Sequence, residues 1–177
     1  MSDSSLRREW VDKLEIREVI ERSVRYIDDR AGDRLAELFD EDGVLQLAGT
    51  VFEGREALRG MFRGVSAPPP WTEPGELLKQ AASTHLTSNP VIDLDGDAAT
   101  AETDMVTLIR DENGRAKITL VARYRDRLRR AEGDRWLITN RTGVSIARPG
   151  EEGTDAEWAR ALAAMPDDVR ARVRTDR

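Results

Sequence analysis

The sequence predicts an α+β domain in which helices come first and a run of antiparallel strands follows. Three observations predict this class: helical periodicity near the N-terminus, a proline-rich loop at residues 64–80, and long stretches of alternating residues after that loop. Segregation of helices and strands along a chain is typical of α+β architecture, whereas α/β folds alternate the two.

The composition is that of a soluble globular protein. The chain has 177 residues, a length that allows one domain with a substantial core, and its formal net charge is −6. An acidic balance argues against a nucleic-acid partner, because such proteins normally carry a basic excess. No apolar run approaches the ~20 residues that span a bilayer, and the N-terminus has no apolar signal core. We therefore expect no membrane partner and a cytoplasmic location.

Cysteine and histidine are scarce, which restricts the chemistry. The chain has no cysteine, so disulfides, thiolate catalysis and cysteine-based zinc sites are excluded, and His85 is its one histidine. The acidic turn "DLDGD" has its glycine two positions early for a calcium loop. Neither a Gly-rich phosphate loop nor a dinucleotide fingerprint occurs. The sequence therefore predicts no cofactor and no metal.

Apolar spacing predicts three helices. Residues 1–8 are expected to form a flexible tail. A first helix is predicted from Trp10 to Ile27, since one stripe at helical spacing holds Ile16, Val19, Ile20, Ser23, Val24 and Ile27. The break "DDRAGD" precedes a short helix, "DRLAELF". A hairpin of two short strands, "GVLQLAG" and "TVFEG", then leads to a third helix over residues 55–62.

Strands are predicted over the region that follows the loop. They are expected in "STHLTSN", in "PVIDLDGDAATAETDMVTLIR" with a turn at "DGD", in "RAKITLVARYRDRL" and in "RWLITNRTGVSIA". The Asn-Gly of "DENG" favours a type I′ hairpin turn. Alternating charges in "RYRDRLRR" indicate a strand with one solvated face rather than a nucleic-acid patch. After Gly153, "TDAEWARALAAMPDDVRARV" predicts one or two terminal helices, with Thr154 as N-cap and Pro166 able to start the second.

The segments "LAELFDEDG", "GREAL", "STHLTSNPVIDLDGDAATAETDMV" and "RYRDRLRRAEGDRWLITNR" follow a recognisable plan. In this plan the chain resembles SnoaL-like domains of the nuclear-transport-factor-2-like superfamily over roughly residues 9–147. The resemblance implies a cone-shaped α+β barrel, in which three N-terminal helices pack inside a strongly curved antiparallel sheet. Residues 148–177 lie outside it and are expected to form a C-terminal helical extension. Because this fold hosts many activities, the resemblance does not select one reaction.

The resemblance also implies site residues. Scytalone dehydratase and a hexachlorocyclohexane dehydrochlorinase of this superfamily pair an Asp at the end of the first helix with a His on the first long strand. Asp28 and His85 fill those positions here. Bile-acid dehydratase has a further pocket aspartate, to which Asp104 is the nearest match, and Arg141 lies where a polar group of the last strand lines the pocket.

The two candidate catalytic residues can also be judged by their own positions. Asp28 continues the 16, 20, 24 series, so it lies on the buried stripe at the end of the helix. An unpaired carboxylate in an apolar site is costly, and His85 is the one imidazole available to it. The alternatives are that Asp28 is a turn residue that reaches solvent and that His85 is a structural or surface residue.

The expected substrate-binding residues keep alternatives as well. Tyr26 borders the apolar stripe and either directs its hydroxyl into the pocket or packs. Asp104 either lines the pocket or pairs with an arginine on its strand face. Asn140 and Arg141 alternate, so one of them faces the cavity. Trp71, on the proline-rich loop, either covers the pocket or anchors the loop.

Together these features predict a cofactor-independent lyase or isomerase, with dehydration as the first choice of reaction. An imidazole, whose ordinary pKa is ~6.5, is suited to remove a proton alpha to a carbonyl group. We expect His85 to be the general base, supported by Asp28, and the substrate to be a small apolar hydroxylated carbonyl compound of polyketide or steroid type. The alternatives are a non-catalytic binding or assembly module and a polyketide cyclase that uses Asp28 alone. A homo-oligomer, dimer or trimer, is expected from the resemblance.

Overall fold

A computed structural model of the chain describes residues 3–47, 49–61, 63, 83–110, 113–147, 163, 167–170 and 173–175. Its helices are α1 (Asp3–Asp28), α2 (Gly32–Ala36), α3 (Gly54–Gly60) and α4 (Asp167–Arg170). Its strands are β1 (Phe39–Leu47), β2 (Thr50–Glu53), β3 (Ser83–Asp95), β4 (Ala98–Arg110), β5 (Ala116–Arg130), β6 (Trp136–Ala147) and β7 (Val173–Thr175). The class is α+β. Among the helices that the structure describes, none combines the length and the hydropathy of a membrane span.

The strands form one sheet in the order β3-β4-β5-β6-β1-β2-β7. All neighbours are antiparallel except β1 and β6, which are parallel. The prediction of a wholly antiparallel sheet is therefore wrong at this one junction. The N–H of Ile138 donates to the carbonyl of Leu38 at 2.9 Å, where β1 enters beside β6. The alternation of residues within a strand shows which of its faces is buried. It does not show which strand lies beside it or whether the two run parallel or antiparallel.

The first helix begins earlier than predicted. Residues 3–8 belong to α1, so the expected flexible tail is wrong there. Leu6 and Trp10 are exposed, and the stripe that indicated a helix starts only at Ile16. Straight-chain residues such as Arg and Glu favour helix without burying a stripe, and Arg8 is tied by an ion pair of 3.0 Å to Asp134. The second helix is shorter than predicted, because Phe39 already opens β1.

The core lies between α1–α3 and one face of the sheet. Its main cluster contains Ile16, Ile20, Leu35, Phe39, Leu45, Phe52, Leu58, Met61, Leu128, Trp136 and Ile138. A second, smaller cluster lies further along α1 and consists of Val24, Met105, Ala122 and Tyr124, with Leu47 and Leu120 packed against it. We call this second set the upper cluster. Its helix residue, Val24, lies one turn before Asp28 on α1.

The C-terminal segment is not purely helical. After the short α4, residues Val173–Thr175 form β7, which pairs antiparallel with β2 through Thr50↔Thr175 and Phe52↔Val173. The predicted helical extension is therefore wrong at residues 173–175, which belong to the sheet of the domain. Val and Thr are good strand formers, and β2 otherwise offers an unpaired edge. The predictions for the loop at 64–80, Thr154 and Pro166 fall outside the described residues.

Candidate active site

Asp28 and His85 are in direct contact. Nδ1 of His85 lies 2.6 Å from Oδ1 of Asp28. The other carboxylate oxygen, Oδ2, accepts hydrogen bonds from the backbone N–H of His85 at 3.0 Å and from the Thr84 hydroxyl at 3.1 Å. An ionised carboxylate only accepts, so Nδ1 carries the proton of this contact and Nε2 of a neutral ring is an acceptor.

The end of α1 places Asp28 in this site. The helix ends immediately after Asp28, where Arg30 adopts a left-handed φ of 55° and the N–H of Ala31 donates back to the carbonyl of Tyr26 at 2.8 Å. A helix C-terminus carries partial negative charge, which disfavours a carboxylate and favours a cation. The three hydrogen-bond donors around Asp28 offset that penalty. An imidazolium at His85 would be stabilised both by the carboxylate and by the helix C-terminus.

Strand register places His85 on the inner face of the sheet. His85 is opposite Thr107, which is opposite Leu120 on β5. The next inward position along the sheet pairs Thr87 with Met105, a member of the upper cluster. The side chains of Asp28 and His85 are 9% and 15% exposed, so the pair is largely shielded from water but not sealed. The site thus consists of one acid–imidazole pair beside an apolar surface.

A β-bulge decides between Asn140 and Arg141. Leu128 is opposite Ile138, while Arg127 is opposite Asn140, so Thr139 is an extra residue in β6. The bulge shifts the alternation by one position. Arg141 therefore faces the interior and is fully buried, although simple alternation from Ile138 would have turned Asn140 inward.

The interior contacts of Arg141 are with protein groups. Its Nε and Nη2 donate to the two oxygens of Asp126, each at 2.7 Å, and Nη1 donates to the Ser23 hydroxyl. Its guanidinium carbon lies 4.6 Å from the centroid of the Tyr124 ring. Burial alone would lower the pKa of Arg141, but the charge and hydrogen bonds of Asp126 outweigh it and raise that pKa. The predicted contact of Arg141 with substrate is wrong for this structure, because these partners occupy a guanidinium that is fully buried.

Asp104 lies on the opposite face of the sheet from His85. Asp104 is opposite Ser88 on β3 and Arg123 on β5. The adjacent pair, Thr87 and Met105, points inward, so Asp104 points to the outer face. Its carboxylate accepts a hydrogen bond of 2.8 Å from Nε of Arg123, which lowers the pKa of Asp104. The predicted pocket role is therefore wrong, and the alternative, pairing with an arginine, is the geometry that the structure shows.

Of the remaining two predicted residues, the structure describes Tyr26 alone. Tyr26 is half-buried, packs against the main core cluster and lies under the guanidinium of Arg34, 5.1 Å from its ring centroid. Trp71 falls outside the described residues. Among the residues that the structure describes, no three His, Asp or Glu side chains come together as a metal ion would require.

Sequence reasoning missed the polar groups beneath the pair. Tyr124 and Asp126 are fully buried, and burial raises the pKa of Tyr124 to about 12, against the lowering effect of the Arg141 charge. A signal was present: Asp126 shares a strand face with Tyr124 and Leu128, whereas the other face of the same strand holds Arg123, Arg125, Arg127 and Arg129. An acid among apolar residues on a buried face predicts a buried cation partner.

Comparisons with solved structures show the same fold in several proteins. A protein of unknown function from Mycobacterium tuberculosis is 25% identical, with a TM-score of 0.64 and coverage of 94% of this chain and 86% of that one. An NTF2-like protein with a cystatin-like fold from Novosphingobium aromaticivorans is 24% identical, with a TM-score of 0.68 and coverage of 88% and 92%. A candidate scytalone dehydratase from the same organism is 19% identical, with a TM-score of 0.64 and coverage of 87% and 94%.

The family is shown by the sequence itself. None of the curated proteins matches the chain. The model of the SnoaL-like domain family, however, matches residues 8–142, which include most of α1, the sheet from β1 to most of β6, and both members of the acid–imidazole pair. The chain belongs to the SnoaL-like domain family.

Proposed function

We propose that this protein is a cofactor-independent lyase or isomerase, and a dehydratase in the first instance, that uses His85 as general base. The observation that supports the proposal is the 2.6 Å contact between Nδ1 of His85 and Asp28. The contact holds the ring in the tautomer whose Nε2 can accept a proton, and it stabilises the imidazolium that results.

The proposed reaction is elimination of water from a β-hydroxy carbonyl compound. Nε2 of His85 takes the proton alpha to the carbonyl, and the electrons of that C–H bond form the C=C bond. The C–O bond to the hydroxyl group breaks, and the departing oxygen takes the proton back from Nε2 to leave as water. Base and acid steps thus use one residue, and the protein returns to its starting protonation state.

The surroundings of the pair favour an uncharged, largely apolar substrate. The upper cluster presents Val24, Met105, Ala122 and Leu120 on the inner side of the site. Arg141, the buried cation nearest to this cluster, is neutralised by Asp126. A substrate carboxylate would be repelled by the Asp28 charge, whereas an uncharged polycyclic or polyketide-like carbonyl compound would not.

The direct test is turnover of hydroxylated carbonyl compounds, followed through the ultraviolet absorbance of the enone formed. His85→Gln removes the base and should reduce turnover by about 10²–10⁴-fold, the usual contribution of general base catalysis. Asp28→Asn should also reduce it, because an amide neither fixes the tautomer nor stabilises the imidazolium. Asp29→Asn is the matched control, since Asp29 is the neighbouring half-buried acid and should leave turnover unchanged.

The variants also separate the two rival functions. A polyketide cyclase that needs Asp28 alone would retain turnover in His85→Gln and lose it in Asp28→Asn. A binding module would bind apolar carbonyl compounds without turnover in any variant. Either result would refute His85 as general base.

A further inference from the structure

A buried polar network lies deeper on the inner face of the sheet than His85. It consists of Ser23, Tyr124, Asp126 and Arg141, each of which is fully buried. Strand register places its sheet residues relative to His85, which is opposite Thr107 on β4. Two and three positions further along the inner face of β4, Thr103 is opposite Tyr124 and Ala101 is opposite Asp126, which is in turn opposite Arg141. The chemistry proposed for His85 does not use this network.

Ser23 connects the network to the helix that holds Asp28. Its hydroxyl donates to the carbonyl of Ile20 at 2.6 Å, so its oxygen receives the hydrogen bond from Nη1 of Arg141. Asp28 lies five residues further along α1, or about 7.5 Å along the helix axis at 1.5 Å per residue. A shift or rotation of α1 at Ser23 is therefore carried to the Asp28 carboxylate.

Arg141 is held firmly enough to act as a reference point. Its two parallel bonds to Asp126 fix the plane of the guanidinium, and the Tyr124 ring lies against that plane. The two members of the ion pair lie on neighbouring central strands, Asp126 on β5 and Arg141 on β6. A buried ion pair of this kind gives no more stability than a well-packed apolar pair of the same volume. Its fixed geometry is what an apolar pair would not supply.

We infer that Arg141 is a positioning residue, which through Ser23 sets the height and rotation of the last turns of α1 and so holds Asp28 in contact with His85. The role of that contact in catalysis rests on the proposed function, but the contact itself does not. The inference explains why a fully buried arginine lies on the last long strand of the domain although its charge is neutralised.

The test follows the Nδ1 proton of His85, whose NMR signal is unambiguous because the chain has one histidine. A short hydrogen bond to a carboxylate moves this signal downfield and slows its exchange with water. Ser23→Ala removes the connection and keeps α1 intact, because Ala is the better helix former. We expect the signal to move upfield and its exchange with water to become several-fold faster, while circular dichroism stays that of the wild type.

A second variant replaces the ion pair itself. Arg141→Met combined with Asp126→Leu leaves an apolar pair, which should fold and should show the same upfield shift. The matched control is Arg123→Met combined with Asp104→Leu, since Asp104 and Arg123 form an Asp–Arg pair on the outer face of the sheet. This control should leave the His85 signal unchanged.

The outcomes separate the inference from the proposed function. If Asp28→Asn abolishes the downfield signal but the folded Ser23→Ala and Arg141→Met/Asp126→Leu variants retain it, the positioning role is refuted and the catalytic pair stands. If Asp28→Asn leaves the signal unchanged, the pair does not exist in solution, and both the inference and the proposed function fail.

Discussion

At the residue scale, the protein repeatedly joins α1 to the sheet through buried acid–base contacts. Asp12 accepts two hydrogen bonds of 2.8 Å from Arg130 and one of 3.2 Å from the Trp136 indole N–H. Arg130 in turn lies 4.6 Å from the centroid of the Trp136 ring. This contact fixes the N-terminal half of α1, as Ser23 and Asp28 fix its second half.

Asp12→Asn should make the free energy of unfolding vary less with pH in the acid range. The hydrogen bond from Arg130 is the main cause that holds the pKa of Asp12 below its ordinary value, against the opposing effect of burial. A carboxyl group with a lowered folded-state pKa stabilises the fold above its unfolded pKa of ~3.9, and that stabilisation is lost as pH falls through the folded value. The variant should lose about 1–3 kcal/mol at pH 7, the usual cost of an uncompensated buried polar group.

The measurement is urea unfolding of both proteins from pH 7 to pH 2.5. The difference in free energy of unfolding between the wild type and Asp12→Asn should become smaller once the pH falls below about 4. Glu21→Gln, at an exposed acid of α1 that pairs with Arg17, is the control and should stay within about 0.5 kcal/mol of the wild type. A difference for Asp12→Asn that persists at the lowest pH would contradict the assignment.

At the element scale, α2 and α3 pack closely because the residue of α2 at their contact is a glycine, which has no side chain. A Cβ at Gly32 would lie 2.6 Å from the carbonyl oxygen of Arg59, a backbone atom that cannot move aside without moving α3. Gly32→Ala should therefore cost about 1–3 kcal/mol, the usual penalty for overpacking. Chemical denaturation measures it, with Asp33→Ala at the next, exposed position of α2 as control. Equal stability of the two variants would show that the helices separate without cost.

Elements were predictable where one face is consistently buried. The stripe from Ile16 to Ile27 predicted α1 and correctly placed Asp28 at its end, and alternation predicted the long strands. Alternation failed at the β6 bulge, because one extra residue reverses which side chains point inward and nothing in the local sequence marks Thr139 as extra. The exposed start of α1 was missed because a solvated turn has no apolar stripe.

At the scale of the whole molecule, strand partners were beyond the sequence pattern. The parallel junction of β1 and β6 and the addition of β7 to β2 depend on which edges the folded chain leaves open. The acid–imidazole pair was foreseeable from residue types and family resemblance. The network around Arg141 was foreseeable only in part, since its members come from α1, β5 and β6 and meet only in the folded molecule.

The edge of the sheet offers a test at this scale. Arg174→Pro removes one backbone donor from β7 and should free the edge of β2, because proline cannot continue a strand ladder. Amide hydrogen exchange should then become faster at residues 50–52 and stay unchanged in β4 and β5. Arg170→Ala, in α4 before β7, controls for the loss of an arginine. Unchanged exchange at residues 50–52 would mean that β7 does not protect this edge in solution.

The Ser23–Arg141 bond joins residues 118 positions apart, and the Asp12–Arg130 bonds have the same separation. On a ribosome that adds roughly 5–20 residues per second, Asp12 and Ser23 are made on the order of ten seconds before Arg130 and Arg141 exist. During that interval the apolar stripe of α1 can pack on α2, β1, β2 and α3, which follow it closely in sequence and share its core cluster. The bonds that join the helix carrying Asp28 to β5 and β6 can therefore form only after most of the domain has been made, and until then a chaperone would have the opportunity to bind this helix.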